Sequence, residues 1–101
     1  MSSLDRPLLL SRMETACRQT RRHLGLIERQ IARRAERLAI TERAKKRSHS
    51  RGTSTWTPAD ERLFLEHVDR LIFDRRCEID AFARKLAQQE RAIDDRRKGL
   101  P

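Results

Sequence analysis

Two cysteines, three histidines and a dense set of arginines are the residues here with chemistry to offer. Nucleophilic catalysis needs a thiol or hydroxyl within hydrogen-bond reach of a base, and a structural or catalytic metal needs three or four converging ligands. Cys17 and Cys77 belong to no Cys-x-x-Cys pair or Cys-His cluster, and His23, His49 and His67 are scattered. Paired carboxylates at a converging spacing and a glycine-rich phosphate loop are also missing from the chain. The expectation is a non-enzyme with no catalytic residue, metal ligand or cofactor. His23 and His67 read as helix-surface residues, and His49 belongs to a basic loop.

Arginine offers a different chemistry, since its planar fork grips carboxylates or phosphates through paired N–H donors. Arg18, Arg21, Arg22, Arg29, Arg33, Arg34 and Arg37 are followed by Arg43, Lys45, Lys46, Arg47 and Arg51. Residues 1–51 hold 14 Lys and Arg against 5 Asp and Glu, while residues 52–101 hold 10 of each, so the whole net charge of +9 lies in the first half. A one-sided field of this kind suits an acidic partner. One reading is a protein-docking surface built from Arg21, Arg22, Arg29, Arg33, Arg37, Trp56 and Phe73. The alternative is nucleic acid, with Arg43, Lys45, Lys46, Arg47 and Arg51 tracking a phosphate backbone and affinity falling steeply with salt. A third reading is a solvated face on which Glu28, Glu36 and Glu42 pair locally, at a few tenths of a kcal/mol each. Trp56, the only Trp, either folds onto the helix that follows it or stands out as a binding anchor.

The elements that must carry these side chains are long helices. From Leu10 a 3-4 spacing runs through Met13, Cys17, Thr20, Leu24, Ile27, Ile31, Arg34, Leu38 and Thr41, seven of the ten positions being apolar. An average step of 3.5 residues predicts a coiled-coil helix over about 7–47. A basic Ser/Thr/Gly stretch over about 48–57 reads as the loop. Thr57 can then cap a new helix, with Pro58 in its first turn and Asp60 and Glu61 at its positive end. That helix extends over about 58–98 on a seam of Leu65, Val68, Ile72, Arg75, Ile79, Phe82, Leu86, Gln89 and Ile93, and Gly99 ends it. No Gly or Pro interrupts it.

The predicted fold class is all-α: a single domain, 1–101, of two long antiparallel helices. Charged residues at 39% and four aromatics describe a seam of contact rather than a thick core. Folding back about the loop sets position i opposite roughly 106 minus i. Leu38 then meets Val68, and Met13 meets Ile93. Arg34 would face Ile72, and Arg75 would face Ile31, so both arginines must snorkel or find partners. A two-helix hairpin buries little, so pairing into a homodimeric four-helix bundle or docking on another protein is expected. Unpaired cysteines and short apolar runs predict a cytoplasmic protein with no membrane span.

The basic N-terminal helix, Trp56, the run Asp60-Glu61-Arg62-Leu63-Phe64 and the second heptad helix with Arg84-Lys85-Leu86-Ala87 together resemble the central-stalk proteins of type III secretion and flagellar export. The resemblance is one of pattern over most of the chain. It implies a helical hairpin inserted into the ring of an export ATPase, with chaperones or the export gate as further partners. A second, local resemblance joins Trp56-Thr57-Pro58-Ala59-Asp60-Glu61-Arg62-Leu63 to the opening helix of Myb/SANT-type DNA-binding domains, with Phe82-Ala83-Arg84-Lys85-Leu86 and Arg91-Ala92-Ile93 as a helix-turn-helix core. Such a domain needs breaks between three short helices, and the sequence writes none between Leu63 and Lys98. The leading expectation is an adaptor or stalk in protein export. A small nucleic-acid-binding accessory protein for plasmid transfer or transcription is the alternative.

Overall fold

The computed structural model describes residues 5–46 and 55–99. Its regular elements are α1 (Asp5–Lys46), α2 (Pro58–Asp74) and α3 (Arg76–Arg97), with no strand among the described residues. The fold is all-α, and the two halves of the chain pair as a helical hairpin. None of the described helices is long and apolar enough to cross a membrane.

The beginning of α2 follows from three residues. Thr57 holds an extended backbone (φ −103°, ψ 164°), and its hydroxyl accepts from the Asp60 amide. The Thr57 amide in turn donates to Asp60 Oδ2 at 2.8 Å, which completes a capping box, and Pro58 fills a first-turn position that needs no amide hydrogen. At the other end, Gly99 takes φ +74° just beyond α3, a conformation that costs glycine little, and its amide donates to the Arg96 carbonyl.

Between these ends the expected uninterrupted helix is broken. Arg75 (φ −106°, ψ 14°) leaves the helical region, and its amide is shared between the carbonyls of Leu71 and Ile72 at 3.1 and 3.2 Å. Asp74, Arg75 and Arg76 are ordinary helix residues, so local propensity does not cause the break. The Arg75 guanidinium donates to Gln30 Oε1 at 3.0 Å, which ties this point to α1.

The described residues pack as two units. In residues 27–76 the later part of α1 lies against α2, with Gln30 meeting Arg75, Glu42 meeting His67 and Arg43 meeting Asp60. In the other unit the part of α1 up to Leu26 lies against α3, with Glu14 meeting Arg97, Arg21 meeting Glu90 and His23 stacked obliquely on Phe82. Partner numbers fall as α1 numbers rise in both units, so each pair is antiparallel, near the expected register.

The buried apolar residues are Ile27, Ile31, Ala35 and Ala39 in the first unit and Cys17 and Ile93 in the second. Buried Thr20 satisfies its hydroxyl on the Ala16 carbonyl. The expected α1 seam holds as far as Ile31 and then moves by one residue. Ala35 and Ala39 are inside, whereas Arg34 and Thr41 are exposed. A strict 3.5-residue repeat drifts by about 20° per heptad on a straight α-helix, so over three heptads the stripe turns by about 60°, more than half of the roughly 100° between successive residues, and the nearest inward position is one residue on. Arg34 therefore needs no partner in the seam. In α2 the expected Leu65 and Ile72 are outside, and Leu63, Phe64, His67 and Leu71 turn inward. The inward stripe continues at three- and four-residue steps through half-buried Arg75, and the α3 seam of Ile79, Phe82, Leu86, Gln89 and Ile93 is partly or fully buried as expected.

Candidate protein-docking surface

Arg29, Arg33 and Arg37 follow one another at steps of four residues, which places them on one ridge of α1. All three are exposed, and none has a hydrogen bond or ion pair from its guanidinium to a described residue. Glu28 and Glu36, expected to neutralise them locally, likewise form no ion pair among the described residues. Glu42 is engaged elsewhere. The ridge is thus a row of uncommitted cations, and Ile40, 48% exposed one helical turn beyond Arg37, adds an apolar contact. In the other unit, Arg22 is exposed and without a described partner, and Leu26, 43% exposed, lies one turn further on. Arg21 differs, since its guanidinium lies 3.4 Å from Glu90. Both side chains of that pair are about half in water, so the pair holds little energy.

The loop end of residues 27–76 is built for structure. Asp60 is only 6% exposed, yet it accepts from the Thr57 amide and lies 3.6 Å from Arg43 Nε. Arg43 also donates to the Thr55 carbonyl at 2.7 Å. Of the residues suited to nucleic acid, Arg43 is therefore turned inward onto Asp60. Lys45 and Lys46 are exposed, and Arg47 and Arg51 lie outside the described residues. A shallow cleft of about 260 Å³ opens between Arg43, Lys46, Asp60, Arg62, Leu63 and Glu66.

Trp56 folds onto the beginning of α2. Its indole N–H donates to Glu61 Oε2 at 2.8 Å, and its ring meets Phe64 edge-on at 6.4 Å. It keeps 38% of its surface in water, enough to touch a partner. Phe73 is more open at 64%, with the Arg76 guanidinium 4.8 Å above its ring.

His67 corrects the sequence reading. Expected at the surface, it is buried, with Nε2 2.8 Å from Glu42 Oε1 but without a hydrogen bond to a described residue. His23 is exposed beside Phe82. Both cysteines are free thiols, Cys17 buried and Cys77 exposed. No group of three metal-ligating side chains converges among the described residues.

Sequence spacing missed the exposed apolar residues Leu26, Ile40, Leu65 and Ile72. The first two were legible, since they stand off any inward stripe. The last two stand on the expected seam, from which the inward stripe of α2 differs by one residue.

These features define an all-α hairpin with an uncommitted arginine ridge. No family model matches the chain, and no curated protein or solved structure matches it either.

Proposed function

We propose that this chain is a non-enzymatic helical adaptor or stalk that docks an acidic protein surface through the α1 ridge of Arg29, Arg33 and Arg37. The observation that supports the reading is that these cations share one face and form no ion pair or hydrogen bond with a described residue. Long arginine side chains kept free of internal pairs are available for bidentate contacts with carboxylates. Exposed Ile40 supplies the apolar surface that turns electrostatic attraction into a packed interface. The pattern likeness to export stalks points to the ring of an export ATPase as the partner to test. Engagement of Arg43 with Asp60 takes one cation out of the set suited to nucleic acid, which favours protein over phosphate backbone.

The test is a triple charge reversal, Arg29→Glu, Arg33→Glu and Arg37→Glu, read by calorimetry against the export ATPase and by anisotropy of labelled DNA and RNA. Salt is varied over roughly 50 to 300 mM. The expected result is ATPase binding that the reversal abolishes, with nucleic-acid binding gone at physiological salt. Nucleic-acid binding that survives physiological salt and is lost on reversing Lys45 and Lys46 overturns it.

A further inference from the structure

Helix α2 presents a second face, away from its inward stripe, that nothing in its own unit covers. Leu65 and Ile72 are 49% and 43% exposed, and Val68 between them is half-buried. With exposed Glu61 in the first turn of α2 and exposed Arg76, the first residue of α3 just past Arg75, they follow one another at steps of four, three, four and four residues. Phe73 borders this stripe. The stripe is acidic at its N-terminal end, apolar in the middle and basic at its C-terminal end.

That order determines what can cover it. A second α2 laid parallel sets Glu61 against Glu61 and Arg76 against Arg76. Laid antiparallel about a two-fold axis between Val68 and Asp69, it sets Leu65 against Ile72 of the other copy and Glu61 against Arg76, twice over. An isologous two-fold contact requires this self-complementarity. The unit also has reason to gain apolar cover, because Ile27, Ile31, Ala35 and Ala39 are its only buried apolar residues among those described.

We propose that the outer face of α2 is a homodimer interface, in which two copies pack antiparallel through Leu65, Val68 and Ile72 with Glu61 and Arg76 closing both ends. This surface is on a different helix from the arginine ridge, so the dimer stands or falls independently of the docking reading. Asp69 borders the axis and is brought near its own copy, so neutralising it strengthens association.

The test is sedimentation equilibrium of the full chain across roughly 1 to 100 µM, the range in which modest helical dimers dissociate. The expected mass is twice the 12.0 kDa of one chain. Ile72→Glu is expected to give monomer with undiminished helical circular dichroism. Glu61→Arg alone and Arg76→Glu alone are each expected to weaken the dimer at least tenfold, and the double reversal to restore it. Asp69→Asn is expected to tighten it several-fold. Glu61→Arg also removes the Trp56 hydrogen bond, and the double variant still lacks that bond, so restoration reports the cross-copy pair. A monomeric wild type over this range, or a dimer indifferent to Ile72→Glu and to the single reversals, overturns the proposal.

Discussion

The two packing units of this chain are held by different kinds of contact. In residues 27–76 a buried carboxylate is doubly engaged. Asp60 closes a capping box and faces Arg43, although buried His67 Nε2, 2.8 Å from Glu42, has no hydrogen bond there. In the unit of α3 and the start of α1, the ion pairs Arg21–Glu90 and Arg97–Glu14 lie largely in water, and the buried Gln89 Oε1 has no hydrogen-bond partner. Directional bonds between buried groups admit one arrangement. Exposed pairs over a thin seam admit small slips at little cost. The first unit should therefore respond sharply to single polar substitutions, and the second only weakly.

The largest effect expected is that of Asp60→Ala. It removes the reciprocal cap and leaves a mostly buried guanidinium without its carboxylate, a loss of about 3 kcal/mol in denaturant unfolding. Amide exchange should accelerate first in the opening turn of α2. A loss below about 1 kcal/mol would dissolve the contrast between the units. Gln89→Leu should act in the opposite direction, since it removes an unsatisfied buried carbonyl and adds apolar surface to the seam. A gain of about 1 kcal/mol is expected. A destabilised variant would mean that Gln89 has a partner in solution. Smaller again, Arg97→Ala and Arg21→Ala should each cost under about 0.5 kcal/mol, with the difference vanishing in high salt.

Much of this contrast was legible in the sequence, and what was not has a physical reason. Thr57-Pro58-x-Asp60 is a local signal, and its capping box formed as written, because capping depends on residues within one turn. The helical segments were legible for the same reason, but the break at Arg75 was not. The inward faces were not, beyond Ile31 and within α2, because a face is decided by accumulated rotation. A difference of about 0.1 residue per turn between a heptad and a straight helix moves Arg34 out and Ala35 in. His67 was read as a surface residue because its burial depends on Glu42, twenty-five positions away. Arg75, expected on the seam opposite Ile31 with a partner to find, is half-buried and reaches the neighbouring Gln30, but it also ends α2. For the candidate site, arginine identity was visible from the start. Which of those arginines remain uncommitted required the partners of Arg21 and Arg43.

The smallest effect comes from the end of α3 and tests whether an exposed pair is held at all. Lys98 Nζ lies 2.9 Å from Asp94 Oδ2, with both side chains more than half exposed. The hydrogen bond to Asp94, and then the attraction of the same carboxylate, raise the lysine above its ordinary value of 10.5, with Asp95 adding a little and slight desolvation opposing. A cation whose pKa is higher in the folded chain adds stability that is complete below the ordinary lysine value and is lost as pH rises through the raised one. Asp94→Asn should return the Lys98 titration, followed by side-chain NMR, to its ordinary position. The stability difference between wild type and variant should be flat from neutral pH to about 10 and should shrink above it. An unchanged titration would mean that water already separates the pair. Arg97–Glu14, at the neighbouring residue and similarly exposed, would then be suspect too, and the second unit would rest on its apolar seam alone.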